Sequence, residues 1–215
     1  MRKLWLTFTA MLLCSIASFA QTRDASNRII INSPEEFLKI GTTGYSISDS
    51  YILTDNINLG DLGTRTGAVI PTFSGTFDGD RYTIKYNANF NGSEEDGKYG
   101  LFGNVTGTGT IKNLNVEATA TLVGSAINMN IGLLCGYIDS NGKIEYCNVT
   151  GNINSAVNSS NGGGTDAGLV AGQCYGKISY CIVSGNVTGI GYVGGIVGQL
   201  GDVWYNNHPG GDIIA

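Results

Sequence analysis

Two short signatures alternate along the second half of the chain, and their spacing restricts the fold more than any other feature. The first is bracketed by glycine: Tyr99-Gly100-Leu101-Phe102-Gly103, Ile131-Gly132-Leu133-Leu134-Cys135-Gly136, Ala167-Gly168-Leu169-Val170-Ala171-Gly172 and Val193-Gly194-Gly195-Ile196-Val197-Gly198. The second follows a few residues later: Thr110-Ile111-Lys112-Asn113-Leu114-Asn115-Val116, Lys143-Ile144-Glu145-Tyr146-Cys147-Asn148-Val149, Lys177-Ile178-Ser179-Tyr180-Cys181-Ile182-Val183, and the weaker Asp202-Val203-Trp204-Tyr205-Asn206-Asn207-His208. With Ile84 taken as an earlier member, the anchors Ile84, Ile111, Ile144, Ile178 and Val203 lie 27, 33, 34 and 25 residues apart. A period in this range belongs to solenoids and arrays.

Helical solenoids are excluded. No stretch of the period carries apolar residues at i, i+3, i+4 and i+7, and glycine, 33 of the 215 residues, interrupts every few positions. A β-solenoid remains, each repeat being one coil of short strands. In the second signature the apolar positions fall at 0, +3 and +5, whereas a strand alternates sides with period two. The residue at +2 must therefore be a bend that lets the inward sequence resume at +3. That column reads Asn113, Tyr146, Tyr180, Tyr205; asparagine tolerates a left-handed backbone, tyrosine less readily. The expected fold is all-β: a right-handed parallel β-helix of about five to six coils with a short N-terminal capping helix.

The cap is read from Ser33-Pro34-Glu35-Glu36: an N-cap serine, proline at the first helical position and glutamate three residues on. The spacing predicts a helix over 33–40 that buries Phe37, Leu38 and Ile40 and stops at Gly41. A strand is expected from Tyr51 to Leu59. The organisation is then 1–20 leader, 21–62 cap with the helix and first strand, and 63–215 solenoid.

These segments carry a family resemblance. Gly-Leu-Phe-Gly at 100–103 and Gly-Gly-Ile-Val-Gly at 194–198, with the Ile-x-x-Cys-x-Val elements at 144–149 and 178–183, resemble GLUG-motif repeats. The resemblance extends over about residues 29–205 and implies an exported or surface adhesin-like protein of the Bacteroidetes type. It implies no proteolytic activity here, because the His-Glu-x-x-His helix of the IgA-cleaving relatives is missing.

Arg2 and Lys3, the apolar run Leu4–Ile16 and the ending Ser18-Phe19-Ala20 before Gln21 read as a cleaved signal peptide. Leu13 stands where a lipoprotein box wants a small residue, so Cys14 reads as part of the apolar run. Removing residues 1–20 takes two of the twelve basic residues and none of the seventeen acidic ones, leaving a net charge of −7. Such a surface does not attract nucleic acid or anionic lipid, and no later apolar run has the ~20 residues of a membrane span. The expected location is secreted or outer cell surface, and the expected partner a host or bacterial surface glycan or protein.

Chemistry-bearing residues are sparse. His208 is the single histidine, so the chain assembles no histidine-based triad or multi-histidine metal site. No cofactor, metal site or catalytic residue is expected. Gly162-Gly163-Gly164-Thr165-Asp166 has the look of a calcium-binding glycine-aspartate repeat but occurs once. Cys147 and Cys181 fall in one inward column a coil apart, about 4.8 Å by parallel-strand spacing, which is within bridging range; as small apolar fillers they are equally at home as thiols. The candidate binding residues are Tyr146, Tyr180 and Tyr205, an outward aromatic ladder, with Trp204 beside it. Aromatic faces on a rigid strip stack sugar rings. The rival reading is a carbohydrate-active enzyme, a polysaccharide lyase or glycoside hydrolase on a parallel β-helix, which would need paired carboxylates. The outward column Lys112, Glu145, Ser179, Trp204 offers one. The degenerate fourth copy, followed by Pro209-Gly210-Gly211, leaves no evident cap, so the reading expects self-association through the C-terminal coil or a chain shorter than its relatives.

Overall fold

The computed structural model describes residues 21–93, 96–157, 164–201 and 212–214; the leader, Val203 and the Asn206-to-Gly211 segment fall outside them. The chain winds as a parallel β-solenoid. It opens with β1 (Ile29–Ile31) and a single helical turn, α1 (Pro34–Phe37), followed by β2 (Ser50–Leu53), β3 (Ile57–Arg65) and β4 (Ile70–Phe73). Four complete coils follow, each of four strands. They are β5 (Thr76–Asp78), β6 (Thr83–Gly92), β7 (Lys98–Tyr99) and β8 (Phe102–Val105); β9 (Thr110–Lys112), β10 (Asn115–Gly124), β11 (Met129–Gly132) and β12 (Cys135–Ile138); β13 (Lys143–Glu145), β14 (Asn148–Val157), β15 (Thr165–Gly168) and β16 (Ala171–Cys174); and β17 (Lys177–Ser179), β18 (Ile182–Thr188), β19 (Val193–Gly194) and β20 (Val197–Leu200). A last strand, β21 (Asp212–Ile214), lies on β17. Equivalent strands pair in parallel and form the walls β1-β2-β5-β9-β13-β17-β21, β3-β6-β10-β14-β18, β7-β11-β15-β19 and β4-β8-β12-β16-β20. The count is about four turns rather than five to six.

The 0, +3, +5 pattern is the bend it was read to be. Ile111, Leu114 and Val116, and in the next coil Ile144, Cys147 and Val149, are all buried. Between them, Asn113, Tyr146 and Tyr180 take left-handed backbones, φ 51°, 55° and 54°. The register corrects both ends of the anchor series. Ile84 pairs with Val116, and the rung beneath Ile111 is Phe77; the rung above Ile178 is Ile213, not Val203. Phe77, Ile111, Ile144, Ile178 and Ile213 are spaced 34, 33, 34 and 35 residues. The column is therefore evenly spaced along its whole length.

At the N-terminus, Ser33 Oγ accepts from the Glu36 amide at 3.3 Å, and Glu36 reaches back to the Asn32 amide at 3.0 Å. Phe37 is buried against Phe77 and Phe102, ring centroids 5.8 and 6.1 Å away, which puts the helical turn over the aromatic floor of the first coil. The helix ends at Phe37 rather than at residue 40, and Leu38, expected inside, is 46% exposed. The expected strand Tyr51–Leu59 is two strands, β2 and β3, broken at Asp55-Asn56, where the Asn56 side chain accepts from the Thr83 amide of the next coil at 2.8 Å.

The glycine-bracketed signature marks the corner between the third and fourth strands of a coil, where the chain passes close to its neighbours. A Cβ on Gly172 would lie 2.5 Å from the Ile131 nitrogen and 2.6 Å from the Asp166 oxygen, so no larger residue fits. Leu133, Leu134 and Cys135, inside the bracket, are fully buried. Cys147 and Cys181 occupy one column, with the Ile182 amide donating to the Cys147 carbonyl at 3.0 Å. No disulfide links Cys135, Cys147, Cys174 and Cys181. Burial pushes the Cys135 and Cys147 thiols well up, whereas the half-buried Cys181 is drawn down by its hydrogen bond with Cys147.

Candidate functional site

The corner column that bends the chain also carries its exposed rings. A residue at +2 with a left-handed backbone points its side chain away from the core, so stacking coils stacks these side chains. Tyr146 and Tyr180 lie 4.9 Å apart and within 10° of parallel, and they are 56% and 52% exposed. Their spacing is that of adjacent strands. Tyr205 and Trp204, the other two expected members, lie outside the described residues. The backbone puts Ile214 beside Tyr180, whose amide donates to its carbonyl at 2.9 Å.

Below Tyr146 the column changes character. Asn113 occupies the equivalent position and its side chain is drawn toward the coil beneath, Nδ2 donating to Asp78 Oδ1 at 3.0 Å. Two residues along, Asn148 Nδ2 donates to Asn115 Oδ1 at 2.9 Å, and Asn115 Nδ2 donates to the Arg81 carbonyl. Arg81, Asn113, Asn115, Tyr146, Asn148 and Tyr180 line a hollow of about 370 Å³, a size within the range of small-ligand sites.

Arg81 was not among the residues expected from the sequence. The first coil has four residues, Gly79 to Tyr82, between the positions paired with Lys112 and Asn115, where the second coil has two. This longer corner bulges outward and carries Arg81 to the hollow. Gly79 is required there, because a Cβ would lie 2.6 Å from the Asn113 oxygen and the Leu114 Cα. Asp78, near the hollow through Asn113, is already paired with Arg28 at 3.1 Å and Lys112 at 3.6 Å. Arg81 has no carboxylate within ion-pair distance among the described residues.

The asparagine ladder recurs along the same wall, with Asn186 Nδ2 on Asn152 Oδ1 at 3.2 Å. A second aromatic group was also not foreseen: Tyr137 and Tyr175 lie 5.5 Å apart, with Lys98 Nζ 5.4 Å from the Tyr137 ring. Burial raises the Asp166 carboxyl to about 7. Its rung neighbour is the buried Asn130, whose Oδ1 has no partner, so no second carboxylate stands beside it there. No group of three or more metal-ligating side chains occurs among the described residues.

The model of the GLUG motif matches residues 127–154, the segment from the approach to β11 through most of β14. This β-solenoid carries a GLUG motif in its second-to-third coil. The GLUG segment contains Tyr146, Asn148 and the Ile144-x-x-Cys147-x-Val149 element, so the aromatic corner is part of the motif in this coil. The neighbouring coils reproduce its register without a break, Lys143, Ile144 and Glu145 pairing with Thr110, Ile111 and Lys112 on one side and Lys177, Ile178 and Ser179 on the other. No curated protein and no solved structure matches the chain. Among the described residues no helix is long and apolar enough to cross a membrane.

Proposed function

We propose that this chain is an exported, non-enzymatic module, secreted or held at the outer cell surface, that takes part in adhesion by binding surface glycan through its aromatic corner. The parallel, half-exposed Tyr146–Tyr180 pair carries the reading. Apolar ring faces held at fixed spacing by backbone hydrogen bonds, next to a row of side-chain amides, are suited to stacking sugar rings and satisfying their hydroxyls. Export is supported by Arg2-Lys3, the Leu4–Ile16 run and Ser18-Phe19-Ala20, and N-terminal sequencing of the protein recovered outside the cytoplasm should start at Gln21.

A glycan array probed with the purified chain tests the binding. Hits that disappear with Tyr146→Ala and Tyr180→Ala support it, and an array without hits, from a folded sample, overturns it. Incubating any hit with the protein separates binding from catalysis. Recovery of an intact glycan is expected, and shortened products would favour the lyase or hydrolase reading. The lack of a second carboxylate beside Asp166 is the observation against that rival, since hydrolysis of a glycosidic bond ordinarily takes a pair.

A further inference from the structure

We infer that the hollow beneath Tyr146 takes one carboxylate-bearing sugar ring of an acidic glycan, which completes the aromatic stack and sets its carboxylate against Arg81. The inference rests on the glycan-binding reading and adds the ligand class. The stack stops abruptly. Tyr180 and Tyr146 are separated by 4.9 Å, but the next position down is Asn113, whose amide is turned toward Asp78. The lower face of Tyr146 therefore looks onto a slot one coil high, and one coil is about 4.8 Å. That is the thickness occupied by a single ring in the stack above it, so a pyranose fits where a third tyrosine would lie.

The walls of the slot state its preference. Arg81 presents a planar guanidinium fork, which pairs with carboxylates through two parallel N–H donors. Of the carboxylates nearby, Asp78 is held by Arg28, Lys112 and Asn113, and Glu145 lies one rung from Lys112 without pairing with Arg81. Asp80, beside Arg81, lies beyond ion-pair distance of it. The guanidinium is thus an unneutralised cation on a chain of net charge −5. The Asn115–Asn148 amide chain runs along the floor, its donors used in one direction and its terminal Asn148 Oδ1 left as an acceptor for a sugar hydroxyl.

The test titrates the purified chain with trigalacturonate and 3′-sialyllactose, and with the methyl esters of both, in which the carboxylates are capped. The free acid of at least one pair should bind roughly tenfold or more tightly than its ester, the difference expected of a charge-assisted hydrogen bond. Added salt should shrink the difference. Arg81→Gln should level acid and ester, and Tyr146→Ala should abolish both. Asn113→Tyr supplies the missing rung from the protein itself; because tyrosine already occupies this backbone position in the two coils above, the variant should fold normally and lose binding. Equal affinity for acid and ester, or an acid preference unchanged in Arg81→Gln, overturns the acidic-ring inference while leaving glycan binding standing. Binding that survives Asn113→Tyr overturns the slot. Failure of both acids alongside array hits for neutral glycans overturns the ligand class alone, and failure of every glycan overturns the binding reading with it.

Discussion

The two ends of the solenoid solve the same packing problem with different side chains. From Phe37 to Phe102 the interior is aromatic: Phe37, Tyr51, Phe73, Phe77, Phe90, Tyr99 and Phe102 are buried, with most neighbouring ring centroids 5.3–6.5 Å apart. Beyond Phe102 no aromatic side chain is buried among the described residues, and the core is Ile, Leu, Val, Met, Cys and Ala. Coil regularity explains the change. The lower coils differ from one another, since β3 shifts register twice against β6 and the β5–β6 corner has two extra residues. Unequal coils leave an uneven interior, which a few large rings fill. The upper coils are nearly superposable, so like stacks on like and small side chains suffice.

That contrast is broken most directly by removing one large ring. Phe77 contacts Phe37, Tyr51, Phe73 and Phe102 and sits in the anchor column. Phe77→Ala should destabilise the fold by about 3–5 kcal/mol, while Ile144→Val in the same column two coils higher should cost about 0.5–1.5 kcal/mol. Denaturant melts of both variants check the pair. Equal losses would mean that the aromatic end is no more dependent on single side chains than the aliphatic one.

The same contrast decided what could be read from the sequence. The fold class, the 0, +3, +5 bend and the Tyr146–Tyr180 stack were legible because the upper coils repeat with constant length. The lower end was misaligned because the corner of β5 and β6 is longer: Phe77 and Ile84 are seven residues apart where Ile111 and Val116 are five. An anchor chosen by apolar character alone therefore landed on Ile84. Arg81 was missed for the same reason, as it lies in the two extra residues and has no counterpart in later coils. Leu38 failed because an α-helical period was extended past the single turn that forms.

The two halves also treat a shielded carboxylate differently: Asp78 at the lower end is ion-paired with Arg28 and Lys112, whereas Asp166 in the upper half has no ion pair among the described residues. Asp166 is raised to about 7 by burial, from an ordinary 3.8. Below about pH 4 the carboxyl is protonated in both folded and unfolded chains and costs nothing. As pH rises from about 4 to 7 the unfolded chain ionises first, so stability falls, and above 7 the deficit is constant. Asp166→Asn should flatten that decline and add about 1–2 kcal/mol at pH 8, the full shift being discounted for partial exposure. Melts across pH 4–8 of the two proteins give the answer. Parallel curves would show that Asp166 is solvated like a surface carboxylate.

The smallest effect tests whether the corner rings are there for packing or for a ligand. A non-glycine left-handed residue costs of the order of 1–2 kcal/mol, less for asparagine, whose short side chain visits that region readily. Tyr146 holds φ 55° where Asn113, one coil below, holds φ 51°. The stack with Tyr180 returns about 0.5–1.5 kcal/mol, so the two terms nearly cancel. Tyr146→Asn, which copies the lower coil, should change stability by less than about 1 kcal/mol in either direction while removing the exposed face of the slot. A near-neutral melt combined with lost binding places the value of this ring outside the fold, at the surface where strain is retained for use. A loss of 2 kcal/mol or more would instead make the tyrosine pair a clamp between coils, and the slot beneath it a by-product of how the clamp ends.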